Sequence, residues 1–112
     1  MDTDMLETAQ KLATKIKDSD LYKKYNEAKK ILENNPLLLE RVRAYKKVQF
    51  ELEAKRLKNG KVGFEEEKYV AHQYSQLSLH PITGDYLKHE YEFLNTYRQI
   101  IDVIYKGFAV VD

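Results

Sequence analysis

The sequence predicts an all-α protein: a long antiparallel helical hairpin or bundle with short N-terminal helices, oligomerising through its helix faces. Three observations lead there. Only 4 Gly and 2 Pro occur in 112 residues, too few for the turns that many short strands require. Apolar residues recur every three or four positions along nearly the whole chain, the period of a helix. Hydrophobic residues at 43% and charged residues at 33% give a globular balance rather than a disordered one. The length suits one core, and residues 1–112 are read as a single helical domain.

The elements follow in order. Met5, Ala9, Leu12 and Ile16 form one stripe on a first helix over about 4–18, with Thr3 or Asp4 as its cap and Glu7 near its positive end. Ser19 and Asp20 offer a new cap, and Leu21, Tyr25, Ala28 and Leu32 restart the stripe over about 20–34. One kinked helix or two would fit; a break at residues 18–20 is preferred. Asn34-Asn35-Pro36 is a boundary, because proline disfavours helical geometry before it and suits the first helical position. Leu38, Val42, Tyr45, Val48 and Leu52 then carry a helix over about 36–58. Asn59-Gly60 is a left-handed stop, Gly63 allows another unusual backbone angle, and residues 59–63 make the hairpin turn. The return helix, about 64–79, opens on Glu65, Glu66 and Glu67 at its positive end and continues on Val70, Tyr74 and Leu77. His80-Pro81 breaks it. A final helix over about 83–106, starting at Thr83 or Asp85, runs on Leu87, Leu94, Tyr97, Ile101 and Ile104, with Tyr86, Phe93 and Ile100 alongside; Gly107 ends it, leaving an apolar tail at 108–111.

Several function classes lose their chemistry at once. With no Cys there is no disulfide, thiolate zinc site, Cys-ligated iron–sulfur cluster or Cys nucleophile. Net charge is +1, which selects neither nucleic acid nor membrane. Apolar runs are too short for a membrane span, and the acidic start Met1-Asp2-Thr3-Asp4 is unlike a secretory signal, so the expected location is cytoplasmic. His72, His80 and His89 miss the i, i+3 or i+4 spacing of helical metal pairs, so no metal is expected. Glu65, Glu66 and Glu67 point three ways round a helix and cannot converge on one ligand. Gly60-Lys61-Val62-Gly63 lacks the Gly-Lys-Ser/Thr end of a phosphate loop. No catalytic constellation and no cofactor are expected.

What remains is surface. The stripes of the final helix are wider than one partner helix covers, and Tyr86, Leu87, Phe93, Leu94, Tyr97, Ile101 and Ile104 are the candidate oligomer or partner interface. Residues 41–61 carry eight basic side chains against Glu51 and Glu53. Of these, Arg41, Arg43, Lys46, Lys47, Lys55 and Arg56 form a candidate basic surface for RNA or an acidic protein. The plainer alternative is a solvated helix face, since these residues scatter around the helix. Nine tyrosines suit helix contacts with wet hydroxyls, or less simply base stacking.

The second half also carries a family likeness. A helix ending in Leu77-Ser78-Leu79, then His80-Pro81-Ile82, Tyr86-Leu87, Glu90, Leu94, Ile101 and Ile104, resembles the YlbF/YmcA family of small bacterial regulators. Ser19-Asp20-Leu21-Tyr22-Lys23-Lys24-Tyr25, Asn35-Pro36 and Gly60-Lys61 fit the same family, and the likeness covers about 5–107. The resemblance implies an all-helical, non-catalytic regulator that forms dimers or larger assemblies with itself or other family members. It further implies a link to the endoribonuclease RNase Y, and through it to mRNA processing, competence, sporulation and biofilm control. The complex-forming relatives hold iron–sulfur clusters on cysteines; this chain has none, so no cofactor is carried over. Its short tail also lacks the extension of some relatives, which suits a member outside the RNase-partner group.

Overall fold

The structure, a computed structural model, describes residues 3–108. Five helices follow in order: α1 (Thr3–Asp18), α2 (Asp20–Glu33), α3 (Pro36–Asn59), α4 (Phe64–Leu79) and α5 (Pro81–Gly107), with no strand among the described residues. The protein is all-helical.

Each joint has a local cause. Ser19 is extended and turns the chain between α1 and α2. Its hydroxyl donates to the Ile16 carbonyl at 2.6 Å, closing α1, and accepts from the Tyr22 N–H at 3.2 Å, opening α2. Asn35 closes α2 instead of capping α3: its side-chain amide donates to the Ile31 carbonyl at 2.8 Å, and Pro36 starts α3 without needing a donor. Gly60 takes φ +80° and its N–H donates to the Arg56 carbonyl, a left-handed stop that a side chain would strain. Gly63 differs from expectation. Its φ of −70° is ordinary, and it serves as the cap residue of α4, with the Glu66 side chain folded back beside it.

The last helix begins at Pro81, ahead of the expected Thr83 or Asp85. The reason is an imidazole cap: His80 is extended, and its Nδ1 accepts from the Ile82 N–H at 3.1 Å. Proline then fits the first helical position. The corner between α4 and α5 is tight. Thr83, fully buried at 0% exposure, donates its hydroxyl to the Leu77 carbonyl at 2.6 Å. Beside it Gly84 lies so close to α4 that a Cβ would stand 2.4 Å from the Ser78 carbonyl oxygen.

The core joins four helices. Ala28 and Leu32 of α2, Val42 and Tyr45 of α3, Leu77 of α4, and Tyr86 and Leu87 of α5 form one buried cluster. α2 packs chiefly on α5, α3 on α4, and α4 on α5. Across the Gly60 turn, Lys55 meets Glu66 at 2.7 Å, Arg56 meets Glu67 at 2.8 Å, and further from it the Tyr45 and Tyr74 rings lie 5.9 Å apart. Among the described residues α1 contributes none to the buried core and packs on α2.

The result is flat and open. The chain measures 50 × 38 × 20 Å, and its radius of gyration of 17.8 Å exceeds the roughly 13 Å of a compact domain this size. Its accessible surface is 9033 Å², against about 6,400 Å² for a compact 13.3 kDa monomer. No helix among the described residues is long and apolar enough to cross a membrane.

Candidate interaction surface

The residues singled out on the final helix divide at its middle. Tyr86 and Leu87 are covered by the chain's own helices and belong to the core. Phe93 and Leu94 are half-buried. Phe93 stacks flat on Tyr25 with centroids 5.3 Å apart, and Tyr22 meets it edge-on at 5.4 Å. Tyr97, Ile101 and Ile104 are exposed, together with Val103, Tyr105 and Phe108. The cause is length. α5 has 27 residues, about 40 Å, while α2, its main neighbour, has 14 and spans about 21 Å. The apolar pattern continues past the first turn of α2, where α5 is exposed. The tail expected at 108–111 lies outside the described residues beyond Phe108.

A cleft opens where α2 begins. Leu12 and Ile16 of α1, Leu21 of α2, and Phe93, Tyr97 and Ile100 of α5, together with Lys15, Ser19 and Thr96, line about 210 Å³ of almost wholly apolar space. Leu12 and Ile16 stood out in sequence only as a helix stripe. Their convergence with α5 depends on the angle set at Ser19, which periodicity does not encode.

The basic residues also divide. The Lys46 ammonium is paired with Glu90 and donates to the Tyr86 hydroxyl at 3.0 Å, which itself donates to Glu90 at 2.5 Å. That ammonium also lies 5.0 Å from the centre of the Tyr86 ring. Lys55 is paired with Glu66, and Arg56 with Glu53 and Glu67. Arg41, Arg43 and Lys47 are exposed and make no ion pair among the described residues. Glu90 was visible in sequence as a family position. Its role as the partner that holds Lys46 against α5 is a tertiary fact.

Electrostatics at this contact are specific. Burial first, then the hydrogen bond and negative charge of Glu90, and lastly Tyr25, hold the Tyr86 hydroxyl far above the ordinary tyrosine range. Burial and then Tyr74 raise Tyr45 in the same sense. The unfolded chain therefore loses these protons first, near pH 10, while the folded chain keeps them. Their contribution to stability is complete below that pH and declines above it. Urea unfolding midpoints at pH 9 and pH 11 are expected to fall across that interval, and Tyr86→Phe should lose less than the parent chain. An identical loss in both proteins would remove Tyr86 as the source. Beside the Gly60 turn, the Lys55 hydrogen bond holds the Glu66 carboxyl below the usual range.

Among the described residues, no three His, Asp or Glu side chains gather where they could hold a metal ion. The three histidines have local tasks or none: His80 caps α5, His89 lies 3.2 Å from Asp85 one turn back, and His72 is exposed.

A UPF0342 protein of Caldicellulosiruptor bescii is 37% identical over 82 residues, covering 73% of this chain and 69% of that protein. A UPF0342 protein of Desulfitobacterium hafniense is 29% identical over 106 residues, covering 95% and 84%. Another, from Caldicellulosiruptor saccharolyticus, is 30% identical over 104 residues, covering 93% and 87%. No solved structure matches. The family profile described as control of competence regulator ComK, YlbF/YmcA, spans residues 5–108. It takes in all five helices and the exposed half of α5, and on that match the chain belongs to the YlbF/YmcA family.

Proposed function

We propose that the protein is a non-catalytic helical adaptor, a regulator that works by protein–protein contact and assembles with copies of itself. The observation that carries this is the outer half of α5, where Tyr97, Ile101, Ile104 and Tyr105 lie on one side of the helix and stay exposed among the described residues. Exposed apolar patches of this extent mark interaction sites. α3 and α4 act in this picture as the limbs of a long antiparallel hairpin, pinned near the turn by Lys55–Glu66 and Arg56–Glu67. The family description ties its members to control of the competence regulator ComK. The partners that the family resemblance implies are other family members and the endoribonuclease RNase Y, reached in the cytoplasm.

Affinity capture from the native cell with mass spectrometry, together with the solution mass of the pure protein, tests this. Recovery of RNase Y or a sister protein with a dimeric or larger mass is the expected result. A strictly monomeric protein at tens of micromolar that captures neither would overturn it. Ile101→Asp should lower the assembled mass, because an unpaired carboxylate in a covered apolar contact is costly.

A further inference from the structure

The shape of the free apolar surface specifies what covers it. The outer half of α5 forms one wall of a cleft, and α1 forms the other with Leu12 and Ile16. The walls do not pack on each other: no Cα of α1 comes within 8 Å of one in α5. Packed helices run 8–10 Å apart at their axes with interlocking side chains. The space between these two, about 210 Å³, exceeds the roughly 150 Å³ that takes a benzene ring, so it has room for a large apolar side chain.

We infer that this cleft takes an apolar side chain from the outer half of α5 of a second copy of the chain, in a two-fold pair where each α5 end runs beside the other's α1. This rests on the self-assembly reading above and specifies its surface. Two arguments select a second copy. The first is area. The chain exposes about 2,600 Å² more than a compact monomer of its mass, on the order of what each partner of a large obligate interface covers. A short segment folding back would cover only a small part of that. The second is self-complementarity. A two-fold interface needs a projecting element and a receiving site on one molecule. This chain has both within one stretch, since Tyr97 and Ile100 line the cleft while Ile104 and Phe108 extend beyond it. The receiving wall is incomplete alone: Leu12 and Ile16 of α1 are only half-buried in the single chain, and a partner seated in the cleft would cover what remains.

The absence of native cysteine makes the test clean. Leu12→Cys and Ile104→Cys chains, one carrying a mass tag, are mixed and treated with a short bismaleimide. A cross-linked pair joining the tagged and untagged chains is expected, and Lys58→Cys on the α3–α4 turn should give none with Leu12→Cys. Ile104→Glu should halve the solution mass with its helical circular dichroism unchanged, because Ile104 has no buried role in one chain. A dimer that links through the α3–α4 turn, or keeps its mass in Ile104→Glu, overturns the cleft as the seat and leaves self-assembly standing. A chain carrying both cysteines that links only within itself shows that its own end fills the cleft, and also overturns the inference. A monomer at 100 µM overturns both.

Discussion

Gly84→Ala should destabilise the fold by about 2–3 kcal/mol, although alanine inside a helix normally gains about 1 kcal/mol over glycine. The reversal comes from the corner between α4 and α5. A methyl group there would lie 2.4 Å from the Ser78 carbonyl oxygen and 3.1 Å from its carbon, and the obstacle is backbone with no rotamer to yield. Nor can the corner open freely, because Thr83 ties α5 to the Leu77 carbonyl from a fully buried position. Gly107→Ala is the control. Nothing lies within 4 Å of an added Cβ there, and its stability should hold or rise slightly. Urea unfolding of the two variants beside the parent decides it, and a Gly84→Ala protein as stable as the parent would refute the close approach.

Leu32→Ala is the second large effect, a loss of about 3 kcal/mol. Leu32 is 1% exposed and belongs to the cluster that brings α2, α3, α4 and α5 together. In a chain this flat the core has few other members to close around the space left behind. At roughly 4 °C per kcal/mol for a domain near this size, the melting temperature should fall by about 12 °C. Leu57→Ala, at a position 85% exposed, should stay within about 0.5 kcal/mol of the parent. Comparison at equal protein concentration is essential, since assembly adds to apparent stability. A loss below 1 kcal/mol for Leu32→Ala would mean that the helices collapse around the missing side chain.

What the sequence encodes locally, it encodes legibly. Ser19, Pro36 and Gly60 mark helix ends through interactions within four residues, and those ends lie where cap chemistry puts them. The start of α5 was less legible because an imidazole cap is uncommon, and Thr83-Gly84 imitates a loop while serving a tight helix contact. Periodicity identified the apolar face of α5 but not what that face meets. One continuous stripe serves the core at Leu87, a ring stack at Phe93 and open surface at Ile104. Charge behaves likewise: Lys46 and Lys47 are neighbours in sequence, yet one is held by Glu90 across the fold and the other is exposed. Such pairings depend on the angles between helices, which are set by packing rather than by spacing.

The stack of Tyr25 on Phe93 has a kinetic consequence. Most helix contacts here join consecutive helices, α1 with α2, α2 with α3, α3 with α4 and α4 with α5, through short connections. Such contacts form early, because little chain freedom is lost in closing a short loop. The docking of α2 on α5 differs, since it encloses all of α3 and α4 before any contact compensates. Folding speed is therefore governed by how readily that one large loop closes.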